Sequence, residues 1–261
     1  MQRVTGVHGA QARALRALKD KKERQAAGCF LIEGGKMVRE ALRCGSVRTA
    51  LVDENRLAEY EDLTQALAAV GTQVLCAPAH VLAAVCETRT PQGIAAAAAL
   101  PVPPAGVAGD LLVALDGVQD PGNVGTILRT ADAAGFHGLL LGPGCADVYG
   151  GKALRATMGS IFRVPVRQTP DLATALADLR GQGWAVLTGE LGGTDFFARG
   201  ALPVRQALVI GSEGGGVSPA VSAQATHRLA LPMRGGAESL NAAVAAGIMM
   251  YALAQAKEFT A

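Results

Sequence analysis

Three stretches in the second half of the chain are apolar without a break: "LLVAL" at 111–115, "LLLG" at 139–142 and "ALVIG" at 207–211. A strand with one face in water alternates apolar and polar residues. A strand that is apolar throughout has both faces covered, as in a parallel sheet with helices on either side. Further strands are expected at 164–167, 184–188 and 228–231, and helices at 123–135, about 152–158, 170–181 and 239–257. Alternation of this kind predicts an α/β domain. The composition agrees: half of the 261 residues are hydrophobic, glycine is frequent at 33, and aromatics make up only 4%.

The first hundred residues read as a smaller α/β domain. A basic amphipathic helix over 10–26, with Leu15 and Leu18 inward, leads into "FLIEGGKMVREALRCG", a strand, turn and helix closed by Gly45. A strand at 47–53, a helix at 60–71, a strand at 72–78, a short helix at 80–87 and a strand at 92–100 follow. "PVPPAGVAGD", 101–110, has three prolines and two glycines and no periodicity, so it reads as a linker. The expected division is therefore 1–100, a linker at 101–110, and 111–261.

Charge is uneven although the net formal charge is only +2. Residues 1–24 hold seven basic side chains against two acidic ones, among them Arg13, Arg16 and Lys19. A basic arm on a near-neutral body suits a polyanion such as nucleic acid; a solvated helix face is the other reading. The five cysteines form no C-x-x-C pair, and the four histidines are scattered. No metal site or disulfide framework is expected, and the thiols are expected to be free and buried. The N-terminus is polar and basic rather than a signal peptide, and the Ala/Gly-rich C-terminal helix is expected to pack against protein. A soluble cytoplasmic protein follows as the expectation.

Ligands of open parallel sheets bind beyond the carboxyl ends of the strands. Three loops fall there. "LDGVQDPGNVGTILRTADAAGF", 115–136, brings Asn123 to a helix start and Arg129 six residues on. Asn123 caps that helix or binds a ligand. "ALVIGSEGGGVS", 207–218, sets Glu213 before three glycines, which suits a loop wrapping a ligand with its amides, or a mobile turn. "LALPMRGG" leads to "ESLN", where Ser239 reads as an N-cap and Asn241 lies two residues further. Neither the G-x-G-x-x-G nor the G-x-x-x-x-G-K-[ST] pattern occurs in the first of these loops, which argues against a nicotinamide-dependent oxidoreductase and a P-loop enzyme.

Taken in order, Asn-x-Gly-x-x-x-Arg-Thr-Ala at 123–131, Ile-Gly-Ser-Glu-Gly at 210–214 and Leu-Pro-Met…Glu-Ser-Leu-Asn-x-x-Val-Ala at 231–245 resemble the three motifs of the SpoU (TrmH-type) RNA 2′-O-ribose methyltransferases of the SPOUT superfamily. The resemblance covers about 111–257 and includes "KALRATMGSIFRVPV" at 152–166. The N-terminal half, at "FLIEGGKMVREAL" and "TPQGIAA", resembles the ribosomal-protein-like RNA-binding domain fused to such enzymes.

The resemblance implies a C-terminal SPOUT domain with a parallel sheet and a trefoil knot, plus a smaller N-terminal α/β RNA-binding domain. It implies S-adenosyl-L-methionine as cofactor, held by Thr188, Gly189, Gly211, Leu231 and Leu240. It implies catalytic roles for Asn123, Arg129, Glu213, Ser239 and Asn241, with Glu213 and Ser239 holding Arg129 and its loop, and Asn123 and Asn241 positioning the ribose and knot. Family schemes make the arginine the general base. A guanidinium pKa above about 12 makes a phosphate anchor the better description, with any proton taken only transiently.

RNA contacts are expected from Arg13, Arg16, Lys19, Lys152 and Arg155. Lys152 and Arg155 share one side of a helical turn and take a substrate phosphate or simply add solubility. Gly150-Gly151 stands where the family often has Ser-Pro, a departure from the family pattern in that loop. A homodimer is implied as well, with the Ala/Gly-rich helix a candidate surface. The substrate expected is ribosomal RNA. Transfer RNA, or a non-catalytic RNA-binding protein of the same fold, are the alternatives.

Overall fold

The computed structural model describes residues 1–102, 106–107 and 109–258; the expected linker at 101–110 lies partly outside them. Two compact units form. One comprises Met1–Val102 together with Tyr149–Phe162, and the other Pro103–Val148 together with Arg163–Ala261.

In the first unit β1 (Gln2–Arg3), α1 (Ala10–Ala17), α2 (Lys21–Ala27), β2 (Cys29–Glu33), α3 (Gly35–Arg43), β3 (Val47–Asp53), α4 (Glu61–Ala69), β4 (Gln73–Ala77), α5 (Ala79–Val85) and β5 (Ile94–Ala99) follow one another. The sheet order is β1-β4-β3-β5-β2. β1, β4 and β3 run parallel, and β5 is antiparallel to both β3 and β2. Leu15 and Leu18 face the core with Leu51, Leu75 and Leu82, as the amphipathic pattern required.

The expected single helix over 10–26 is two helices. Asp20 caps α2, its carboxylate accepting from the amides of Lys22 and Glu23 at 2.8 and 3.3 Å. Arg24 is only 4% exposed, and its guanidinium donates to the carbonyls of Leu18 at 2.9 Å and Lys19 at 2.8 Å. Those carbonyls lie just past α1, where a helix leaves its acceptors unmatched. Lys19 is likewise turned inward, its amine bonded to the carbonyls of Ala84 and Cys86 at 3.0 and 2.8 Å. Part of the arm's positive charge therefore holds the fold together. The five thiols are free, but only Cys86 is buried and Cys44 is exposed, against the expectation that all are buried.

The second unit contains β6 (Leu111–Asp116), α6 (Pro121–Ala133) and β7 (Leu139–Leu141). The chain then makes α7 (Gly151–Thr157), which belongs to the first unit, and returns with β8 (Val166–Gln168), α8 (Leu172–Gly181), β9 (Ala185–Asp195), β10 (Gln206–Gly211), α9 (Pro219–Ser222), β11 (His227–Ala230) and α10 (Ala242–Glu258). The six strands lie in the order β11-β9-β10-β6-β7-β8, all parallel. Every residue of β10 is buried, as its unbroken apolar run predicts. From β6 the chain winds outward to β7 and β8, then crosses to build β9, β10 and β11 on the other side. The switch point, where such sheets open a crevice, is between β6 and β10.

Residues 149–162 were expected in the second unit. They join the first because both ends of the segment stack on one buried ring: Phe30 has Tyr149 at 5.0 Å and Phe162 at 5.8 Å between centroids. β9 runs seven residues past its expected end, and α10 begins at Ala242 rather than at 239.

Candidate active site

The carboxyl ends of β6 and β10 are level, with Asp116 paired to Gly211, and Ile210 is paired to Gly189 on the far side. The first two motif loops leave the sheet at this line, whereas the third leaves from β11, whose last residue Ala230 pairs with Asp195 farther along β9.

After β6, Asp120 caps α6, accepting from the amide of Asn123 at 3.0 Å, and Pro121 takes the first helical position. That combination is favourable because proline has no amide to satisfy and its φ is already helical. Asn123 is thus not the cap, and its side chain is available. Its amide nitrogen donates to Glu213 Oε1 at 2.6 Å, and its Oδ1 accepts from Asn241 Nδ2 at 3.1 Å. Asn241 in turn caps α10, its Oδ1 accepting from the amides of Ala243 and Val244 at 2.9 and 3.3 Å. One hydrogen-bonded chain, Glu213–Asn123–Asn241, ties the three motif loops together at the switch point. Ser239, expected as a cap, lies two residues before that cap.

After β10 the glycine loop closes on itself. Ser212 and Gly216 exchange backbone hydrogen bonds of 3.0 and 2.9 Å, and the Gly215 amide donates to Ser212 Oγ at 3.1 Å. Gly216 adopts the left-handed conformation at φ 64° that the turn requires. At the loop's exit the Ser218 amide donates to Asp116 Oδ2 at 2.7 Å. Gly211 runs so close beneath that a Cβ there would overlap the backbone of Gly216 and Val217. Below β6, the Cys145 thiol donates to the Leu115 carbonyl at 3.3 Å; burial pushes its pKa up, so it is no nucleophile.

Between the ends of β9, β10 and the approach to α10 lies a cavity of about 410 Å³. Gly189, Gly211, Leu231 and Leu240 line it, as do Glu213 and Ser239. Thr188 does not: it is wholly buried, its hydroxyl aimed at the His227 carbonyl at 3.5 Å. Arg129 stands exposed on α6 and outside the lining, so Glu213 holds Asn123 in this chain rather than Arg129. Arg13 is exposed on α1. Lys152 and Arg155 are exposed on α7, Arg155 lying 3.8 Å from Glu87. A Cβ at Gly151 would meet the carboxylate end of Glu87, a flexible side chain that can turn aside. Sequence reasoning passed over Asp116 and Asp120, although Asp-Pro at a helix start was a legible capping signal.

The parallel sheet, the glycine-walled cavity beside its switch point and the polar chain joining three ordered motifs define a SpoU-type RNA methyltransferase. The chain belongs to the SpoU rRNA Methylase family, whose profile matches residues 110–251, and residues 10–96 match the MRM3-like substrate binding domain. It is 38% identical over 255 residues to the 23S rRNA (guanosine(2553)-2′-O)-methyltransferase RlmP of Bacillus subtilis, covering 97% of this chain and 99% of that protein. Among solved structures, an AdoMet-bound rRNA methyltransferase from Sinorhizobium meliloti superposes with a TM-score of 0.87 at 30% identity, covering 98% of each chain. The SpoU methyltransferase AviRb from Streptomyces viridochromogenes, in complex with AdoMet, gives 0.85 at 29% identity, covering 96% of this chain and 99% of that one.

Proposed function

We propose that this protein methylates a ribose 2′-hydroxyl of 23S ribosomal RNA, using S-adenosyl-L-methionine bound in the cavity between β9, β10 and α10. The observation that carries the reading is the Glu213–Asn123–Asn241 chain at the edge of that cavity. The residues fit the cofactor. The volume is within the usual range for small ligands, leucines and methionines offer an apolar slot, and glycine amides stand ready for polar groups.

When bound, the cofactor supplies an electrophilic methyl group on a sulfonium. The protein's part is orientation. Asn123 and Asn241, locked by their mutual hydrogen bond and the α10 cap, would orient the 2′-hydroxyl toward the methyl group. Arg129 holds the neighbouring phosphate and stabilises negative charge as the hydroxyl loses its proton. A guanidinium is already protonated, so the proton passes on to water.

Asn123 and Arg129 are six residues apart on α6, which sets them about 120° apart around its axis. They do not share a face, so Arg129 is best placed to serve a second copy of the chain. α10 supports a homodimer. Val244, Ile248 and Tyr251 form an apolar stripe along it, exposed by 51%, 38% and 53%, and the helix packs against α6 with Gly247 beside Thr130. In the same reading 207–217 and 229–242 are the crossing loops of a trefoil knot, the first unit binds RNA through Arg13, Arg16, Lys152 and Arg155, and the protein works in the cytoplasm. No helix among the described residues is long and apolar enough to cross a membrane.

Purified protein incubated with tritiated S-adenosylmethionine and hypomethylated RNA should label 23S rRNA. Label confined to tRNA would replace the substrate, and no label in either would refute the activity.

A further inference from the structure

The cavity holds two carboxylates, and methyl transfer as described uses only one. Glu190 follows Gly189 in β9, is half-buried, and lines the same space. Its Oε1 accepts from Ser222 Oγ at 2.8 Å, and Ser222 is itself held, its carbonyl accepting from Arg228 Nη2 at 3.3 Å. The side chain is thus aimed from the last residue of α9, while a carboxylate has about four acceptor positions and this bond uses one.

Position limits what Glu190 can meet. In the sheet β9 is two strands from β6, or roughly 10 Å at the usual spacing. Asn123 belongs to the β6 side. A ligand whose reacting end lies at Asn123 and Asn241 therefore presents its remote end to Glu190. Among the lining residues Glu190 and Glu213 are the only charged side chains, and none is basic. A fixed carboxylate repels another carboxylate and accepts only from donors, so it is matched to hydroxyl, amine or ammonium groups. It is well matched to a vicinal diol, whose two O–H groups donate to it as a pair.

We propose that Glu190, oriented by Ser222, binds the 2′- and 3′-hydroxyls of the cofactor's own ribose and so anchors the adenosyl end. This makes Glu190 a specificity-determining residue for ribonucleoside over deoxyribonucleoside cofactors. The inference rests on the cavity being the S-adenosylmethionine site.

Calorimetric titration of the full chain with S-adenosylhomocysteine and its 2′-deoxy and 3′-deoxy analogues tests it. The wild type should prefer the ribo form by about tenfold, the worth of one charge-assisted hydrogen bond. Glu190→Gln and Glu190→Ala should weaken binding of the ribo form and bring the preference close to one. Ser222→Ala should reduce it part of the way. The preference is a ratio of two ligands on one folded protein, so general destabilisation does not alter it. A wild type without a diol preference, or a Glu190→Gln protein that keeps it, would overturn this inference alone. A wild type that does not bind S-adenosylhomocysteine at all would overturn the cofactor reading beneath it, and this inference with it.

Discussion

Replacing Gly211 with alanine adds a single methyl group at the point where the cofactor loop passes closest to its own strand. The backbone there has no need of glycine's conformational freedom, so the whole effect is steric. The new Cβ would overlap the backbone of Gly216 and Val217, which cannot rotate aside as a side chain can. Relief requires the loop to lift, at the expense of the paired Ser212–Gly216 backbone bonds and the Ser218–Asp116 bond. At about 0.5–1.5 kcal/mol for each of these three bonds, the cost is roughly 1.5–4.5 kcal/mol, reaching past the usual range of about 1–3 for an overpacked site. At about 2–4 °C per kcal/mol for a domain of this size, the second unit should melt several degrees lower. Because the same loop walls the cavity, affinity for S-adenosylhomocysteine should fall more than tenfold. Gly214→Ala is the control. Nothing lies within 4 Å of a Cβ there and its φ is not positive, so stability should change by less than about 0.5 kcal/mol. Differential scanning calorimetry and titration read both quantities. A Gly211→Ala protein with wild-type melting and affinity would refute the packing argument.

Arg129→Ala should lower methyl transfer by roughly 10²–10³-fold while binding of S-adenosylhomocysteine is retained, since Arg129 lies outside the cavity; normal turnover would remove it from the reaction. The double variant Ile248→Glu/Tyr251→Glu places charge on the exposed stripe of α10 and should give a monomer by light scattering; an unchanged dimer would mean another face is used. Burial, the dominant cause, pushes the Cys86 thiol up to about 12, so at pH 8.5 it stays protonated. Peptide mapping after iodoacetamide should find exposed Cys44 modified in the native protein and Cys86 modified only on unfolding or at far higher pH; early loss of Cys86 would contradict the burial.

The sheet of the second unit was legible because β6, β7 and β10 are buried on both faces and polar residues fall only at the strand ends, at Asp116 and Gln206. The strand-end loops were legible for the same reason. What escaped were pairings that no local pattern records. The Asp116–Ser218 bond spans 102 residues and Asn123–Glu213 spans 90, and each joins residues whose local sequence marks only a turn. Tyr149 and Phe162 read as parts of the second domain, since nothing in their neighbourhood reveals that both meet Phe30. Lys19 and Arg24 looked like surface charge because helical periodicity cannot distinguish a solvated cation from one bonded to buried carbonyls. The break between α1 and α2 was readable: Asp20 followed by Glu23 is an N-terminal signal that the longer basic pattern concealed.

In the proposed reaction the methyl group goes to a ribose oxygen rather than to a base. Alkaline hydrolysis of RNA labelled by this protein with tritiated S-adenosylmethionine tests it most directly, because a 2′-O-methyl group removes the hydroxyl that attacks the adjacent phosphate. The label should be recovered in an alkali-resistant dinucleotide. Recovery of all the label in mononucleotides would assign the methyl to a base instead.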